Sequence, residues 1–335
     1  MAERSVVKSA KESHKAEILS KPNVVGVGMG YKEVHGRVTD ELVIKTLVRQ
    51  KVPLAGLPAQ AVIPQQVDGI PTDVVAVGEI KAQQSRTDRY RPAPGGVSIG
   101  HFQVTAGTFG CVVRDRATST RLILSNNHVL ANSNNATPGD AILQPGAIDG
   151  GNIDEDIIAY LERFYPIHFN TEPGSCSFAQ TFADLGNALA SLTGSKHRLL
   201  PYQEDPDVYN LVDAAVAKPI NDGDILDEIL EIGVVSGTVE GFLGMAIRKS
   251  GRTTELTTGE INVVDATVDV SYGVGKVARF ENQFVSGPMS QGGDSGSLIV
   301  AADSQQAVGL LFAGSEQTTI FNPIQAVLDS LEVDI

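Results

Sequence analysis

Long apolar runs are missing from this sequence. No stretch approaches 18 uninterrupted apolar residues, so a membrane-spanning helix is not expected. The segment behind Met1-Ala2-Glu3-Arg4-Ser5 is mixed in charge and lacks the apolar core of a secretory leader, which makes a soluble, cytoplasmic protein the expectation. Cysteine is scarce. Cys111 and Cys176 are the only two, and with the first in a strand-like setting and no leader they are expected as free thiols. Aromatics make up 5% of the chain against 34 glycines, which excludes a coiled coil and favours many turns and short strands. Basic residues are few as well: 26 against 40 acidic ones give a net charge of -14, which opposes nonspecific binding to nucleic acid or to an anionic membrane. Neither is expected as a partner.

What is present fills more than one compact unit, because 335 residues are enough for two or three cores. Ser5 to Ser20 is rich in Lys, Glu and Ala and stops before Pro22, as a short amphipathic helix does. Val25, Val27 and Met29 then alternate with Gly26, Gly28 and Gly30, and His35-Gly36-Arg37 turns the chain into a second strand over residues 41–48. This glycine spacing does not make a phosphate loop, which would have to open a helix. Thr72 to Val77 reads as a last strand, so a small α/β domain is expected over residues 1–80. Residues 81–94, with Arg86, Arg89, Arg91 and two prolines, lack periodicity and are expected as a linker open to cleavage.

From residue 95 onward short β-like runs recur about every ten residues between Gly, Asn and Asp, the pattern of an all-β sandwich or barrel. Strands at 110–113, 121–125, 141–144, 157–164 and 211–217 are expected to form a first barrel over residues 95–220. Within it, Phe178, Phe182, Leu185, Ala188 and Leu192 recur at helical spacing in an insertion over about 171–206, expected to pack as a flap or flank. Strands at 232–235, 245–249, 260–270, 277–285, 297–301 and 307–313 are expected to form a second barrel over residues 221–318. The acidic connection Asn221-Asp222-Gly223-Asp224 lacks the loop length and closing Glu of a calcium site and reads as a solvated turn. Asn322-Pro323 is expected to start a C-terminal helix within 319–335. The fold class is therefore mainly β, with a small α/β domain in front.

Three local contexts carry chemistry. In Gln291-Gly292-Gly293-Asp294-Ser295-Gly296-Ser297, glycines flank an Asp-Ser pair ahead of the apolar run Leu298-Ile299-Val300. Such a turn on a rigid strand suits a nucleophilic hydroxyl with backbone amides beside it, although the same residue types also make ordinary turns. His128 stands where the apolar run Leu122-Ile123-Leu124 breaks into Ser125-Asn126-Asn127, a place for a general base and equally for a surface histidine. Asp213 lies inside Leu211 to Ala217, and a buried carboxylate there needs a partner such as that histidine.

The order His128, Asp213, Ser295, with two runs of barrel-like strands meeting between the second and third, resembles the chymotrypsin-like serine peptidases. Lys249-Ser250-Gly251-Arg252-Thr253-Thr254 followed by Thr258-Gly259-Glu260-Ile261 is similar to the second-barrel signature of the bacterial α-lytic and streptogrisin-type enzymes. Residues 95–335 also resemble the trypsin-like family that includes the plant narrow-leaf proteins. The resemblance implies a double β-barrel with His128 as general base, Asp213 as its orienter and Ser295 as nucleophile. The amides of Gly293 and Ser295 would form the oxyanion hole, and Asp294 would be held by an internal cation, Lys249, with Arg248 and Arg252 as alternates. Glu255 where the signature has glycine, Ser297 where a second glycine is frequent, and the separation of 85 positions from His128 to Asp213 depart from the pattern.

The pocket is expected to use Met289, Phe312, Ala313 and Gly314, and since neither of their segments supplies a carboxylate, an apolar or small residue is expected before the cleaved bond. The function that follows is hydrolysis of protein or peptide substrates by a serine endopeptidase needing no metal and no other cofactor. The alternative is a weak or latent protease-fold protein that binds peptides or acts as a scaffold. The N-terminal domain would be a pro-like segment, or an accessory domain whose strand edge builds a homo-oligomer.

Overall fold

The computed structural model describes residues 3–34, 36–78, 84–104, 106–205 and 207–335. The chain divides into two compact units, Met1–Gln83 and Gln84–Ile335.

In the first unit, Val7, Ala10 and Ile18 fall on one stripe of the helix Arg4–Leu19, since steps of three and eight residues return nearly to the same face. That stripe packs with Ile44, Val67 and Ile70 into a small core. The strands Val24–Val34 and Arg37–Val48 form the expected hairpin, with Gly26, Gly28 and Gly30 opposite Leu47, Lys45 and Val43. The glycine run is thus a strand and opens no helix. Ile70–Ala76 adds in parallel to Arg37–Val48, and Gln66–Val67 closes the sheet edge. His35 of the expected turn lies outside the described residues.

The second unit is the expected mainly β double barrel. In its C-terminal half the strands Val277–Ser286, Glu255–Ser271, Ala246–Gly251, Leu298–Ala301, Ala307–Gly314 and Thr319–Pro323 pair in that order, and the last pairs back with the first, so the sheet closes. The N-terminal half runs through Cys111–Asp115, Arg121–Ser125, Ala215–Pro219, Ile157–Phe164, Ala141–Leu143 and Ser98–His101. Its ends are joined by backbone bonds from Phe109 N–H to the Val97 carbonyl (2.9 Å) and from Gly110 N–H to that of Leu124 (2.9 Å).

Strand alternation explains how two barrels share one middle. In Arg121–Ser125, Ile123 points into the first barrel with Ile99, Phe109 and Ile142, while Leu122 and Leu124 point out of it. In Leu298–Ala301, Ile299 points into the second barrel with Ile247 and Phe321, while Leu298 and Val300 meet Leu122 and Leu124. The helix Ile324–Leu331 seals this shared layer with Ile324, Val327, Leu328 and Leu331.

Several expectations are corrected. Residues 84–94 are no open linker, because their arginines are anchored: Arg86 is buried and bonded to Ser250 and Glu231, Arg89 pairs with Asp156 (2.8 Å), and Arg91 bonds the Gln144 side chain (2.7 Å). Residues 81–83 of the same stretch lie outside the described residues. The strand expected at 211–217 begins only at Ala215, and 233–234 pairs with Ile225–Ile229 outside the second barrel. The C-terminal segment is not all helix: Thr319–Pro323 is a barrel strand, and beyond Leu331 the left-handed Glu332 (φ 54°) turns Val333–Asp334 onto Cys111–Asp115. Asn322 therefore belongs to a strand and caps nothing. The inserted helix is present as Ser177–Leu192, but only Ala183 is buried, and Phe178 and Leu192 are 80% and 84% exposed. Pro206, at its expected end, lies outside the described residues. Both cysteines are free, and burial pushes the Cys111 thiol up to about 12. Among the described residues no helix is long and apolar enough to cross a membrane.

Candidate active site

His128 is set by a short helical turn, Asn127–Leu130, that follows directly on Arg121–Ser125. Apolar Val129 and Leu130 plug the first barrel and leave the imidazole facing outward. Asp213 precedes the strand Ala215–Pro219, which pairs with Arg121–Ser125, so the two residues are brought to the same rim. Asp213 is fully buried and accepts three hydrogen bonds. His128 N–H reaches Oδ1 (3.2 Å), while His128 Nδ1 (2.6 Å) and the Tyr272 hydroxyl (2.7 Å) both reach Oδ2. A carboxylate with no water contact is tolerable only with such donors. Its backbone is pinned as well, its carbonyl by Asn126 Nδ2 (2.7 Å) and its N–H by Asn322 Oδ1 (3.1 Å).

Ser295 stands on the tight turn ahead of Leu298–Ala301, where Gly293 and Gly296 have φ of 97° and 93°. Left-handed backbone suits glycine, and at Gly296 a side chain would also collide with Ser125 Oγ and the Thr108 carbonyl. Among the described residues, no acceptor takes the N–H of Gly293 or of Ser295. The Gly292 and Gly293 carbonyls are occupied by Thr253 Oγ1 (2.8 Å) and Thr108 Oγ1 (2.9 Å). The hydroxyl of Ser295 lies 3.4 Å from the Phe312 carbonyl, and no hydrogen bond joins it to the His128 ring. Contacts of this kind are often loose in unliganded sites and tighten with substrate.

Asp294, fully buried behind Ser295, faces Lys249, also fully buried, at 3.4 Å. Its Oδ1 accepts the N–H of Thr253 (2.8 Å) and Thr254 (3.1 Å), and its Oδ2 accepts Thr254 Oγ1 (2.6 Å) and Gln291 N–H (3.0 Å). Burial lowers the Lys249 pKa, and the Asp294 charge opposes that shift. Of the other cations, Arg252 pairs with Asp149 and Arg248 bonds Ser304 and Gln305, so neither reaches Asp294. Glu255 holds φ of 55° and its carbonyl accepts Lys249 Nζ (3.0 Å), which accounts for glycine being usual at such a position. Ser297 Oγ donates to the Asp294 carbonyl (2.6 Å).

One cleft of ≈ 1410 Å³ is lined by His128, Ser295, Met289, Phe312, Ala313 and Gly314 together. Met289 and Phe312 are buried at its floor. Asp269 and Glu316 also line it, two carboxylates that the sequence reading of the pocket did not count. Asp269 is engaged by Arg279 Nε (2.8 Å) and Glu316 is exposed.

Tyr272 was absent from the sequence reading. It follows the strand Glu255–Ser271 at a hairpin tip, and nothing in Ser271-Tyr272-Gly273 marks it. Burial, and then the Asp213 carboxylate, push its hydroxyl well above the ordinary phenol range. Folded Tyr272 keeps a proton that the unfolded chain releases near pH ~10. Its contribution to stability is complete below that pH and is eroded as pH rises toward the folded value. Thermal melts between about pH 9 and about pH 11 should therefore show a steeper Tm loss in the parent than in Tyr272→Phe. Parallel curves would contradict this.

No family model matches the chain. It is 33% identical to Streptogrisin-D of Streptomyces griseus over 101 residues, 29% of this chain and 24% of that protein, so it spans about a quarter of the length of that relative. The resemblance is to chymotrypsin-like serine peptidases of the bacterial α-lytic and streptogrisin type. Among solved structures, a Nocardiopsis protease is similar at TM-score 0.45 and 17% identity, covering 72% of this chain and 98% of that one. An α-lytic protease homolog, N4, is similar at TM-score 0.43 and 14% identity, covering 74% and 99%.

Proposed function

We propose that this chain is a serine endopeptidase. The observation that carries the proposal is the fully buried Asp213 bonded at 2.6 Å to His128, on the same cleft as a glycine-flanked Ser295. In this reading the Ser295 hydroxyl attacks a peptide carbonyl carbon while its proton passes to His128 Nε2. The oxyanion forms against the amides of Gly293 and Ser295, whose backbone is braced through Asp294 and Lys249. His128 then gives the proton to the leaving nitrogen, the C–N bond breaks, and an acyl-enzyme remains on Ser295. Water repeats the sequence and releases the acid.

Met289, Phe312, Ala313 and Gly314 would receive a small or apolar side chain before the cleaved bond, and Asp213 would stay ionised throughout. The test is reaction with a fluorophosphonate, which phosphonylates an activated serine. The native protein should label and Ser295→Ala should not. Equal labelling of both, or of neither, removes the assignment. Peptide libraries should then yield cleavage after small or apolar residues, and cleavage after arginine alone would overturn the pocket assignment.

The Ser295 hydroxyl turned toward Phe312 favours a second reading, a latent protein with the same fold. Slow labelling that accelerates with a bound peptide would select it. For the N-terminal unit the proposal is a pro-like or accessory domain over residues 1–80, and intact mass after storage reports whether it is removed.

A further inference from the structure

The geometry points to Tyr272 as a positioning residue that, through Asp213, sets the orientation and basicity of His128, an inference that rests on the peptidase reading above. The carboxylate oxygen that accepts His128 Nδ1 at 2.6 Å is the same one that accepts the Tyr272 hydroxyl at 2.7 Å. Two donors converge on Oδ2, so the hydroxyl fixes the direction in which that oxygen can meet the imidazole and withdraws charge from it.

The hydroxyl is held there by the second barrel, while His128 and Asp213 come from the first. The hairpin tip is closed by Tyr272 N–H on the Lys276 carbonyl (2.9 Å). Its ring stands edge-on to His128 (5.9 Å between centroids) and to Phe169 (5.7 Å), with Phe280 behind at 6.3 Å. Lys276 Nζ lies over the Phe169 ring at 5.2 Å, and Asn170 N–H bonds the Val277 carbonyl (2.9 Å), so the segment leading into the helical insertion braces the tip. The charged and titratable groups around it are Asp213 and His128 across the barrel junction, His168 beside Phe169, and Lys276, Asp269 and Arg279 on the hairpin. Among these Asp213 is the charge that acts on the phenol.

The full chain and its Tyr272→Phe variant, which keeps the ring and removes one oxygen, provide the test. In an NMR titration of His128, losing the hydroxyl should concentrate charge on Oδ2 and raise the imidazole pKa by about 0.5–1 unit. This measurement needs no turnover, so it separates the role of Tyr272 from the peptidase assignment. Fluorophosphonate labelling should also slow by about 10-fold or more, the scale of one lost hydrogen bond to a charged group. A single cooperative thermal melt of the variant below about pH 9 shows that it folds. A His128 titration that does not move overturns the inference whether or not the protein labels. A labelling rate within about twofold of a reactive parent overturns it too. A parent that never labels, with the titration shifted, leaves Tyr272 in place and removes the peptidase reading instead.

Discussion

Asp213→Asn should fold like the parent and label with a fluorophosphonate about 10,000-fold more slowly. Asn and Asp are nearly isosteric, and the site has donors enough to satisfy a carbonyl oxygen, since His128 N–H and the Tyr272 hydroxyl both point at this side chain. The fault lies with protons. Facing an amide nitrogen, the imidazole has to present a lone pair at Nδ1 and carry its hydrogen on Nε2, so it can no longer accept the Ser295 proton. In the other amide orientation Nδ1–H meets a neutral oxygen, and the imidazolium formed on attack lacks its counter-charge. Labelling as a function of pH together with a thermal melt makes the check. A variant that melts with the parent and labels within tenfold of it would show that Asp213 does not orient the base.

Lys249→Met should lose about 3–5 kcal/mol of stability and most of the reactivity of Ser295, because it strands a buried carboxylate. Lys249 and Asp294 are both fully buried at 3.4 Å, and the ammonium also holds the Thr254 hydroxyl and the Glu255 carbonyl. Methionine fills the volume and supplies none of these donors. Asp294 keeps its bonds to Thr253, Thr254 and Gln291, which are neutral donors, so its charge goes unmatched and the turn carrying Gly293 and Ser295 should shift. Adding Asp294→Asn to Lys249→Met should recover part of the melting temperature, since the stranded charge is then gone. Denaturant unfolding of the two single variants and the double measures that coupling, and strict additivity would rule out a working pair.

Much of this was legible in the sequence for local reasons. Asp213 in an apolar run demanded a partner, His128 at the end of an apolar strand offered one, and the two are in contact. Lys249 was singled out among three cations by a motif, and it alone faces Asp294. What stayed hidden depends on contacts between distant segments. Arg86, Arg89 and Arg91 read as polar and open because Glu231, Asp156 and Gln144, which bond them, lie 53 to 145 residues away. Tyr272 could not be found from its neighbours, since its value lies in a hairpin long enough to reach the other barrel. The insertion had the right period for a helix, but period says nothing of whether the apolar face is covered, and Phe178, Phe182 and Leu185 are exposed.

The short strand Val333–Asp334 adds a consequence in time. It closes the edge of a sheet by pairing with Cys111–Asp115, a strand made far earlier, and Arg116 waits 213 and 218 residues for Asp329 and Asp334. The layer between the barrels, where Val333 and Leu331 lie against Val113 and Leu298, is therefore incomplete until both of these distant segments have been made. Ser295 is synthesised ahead of Leu331 and Val333, so the layer that backs its strand Leu298–Ala301 against the first barrel is completed only after the serine itself has been made.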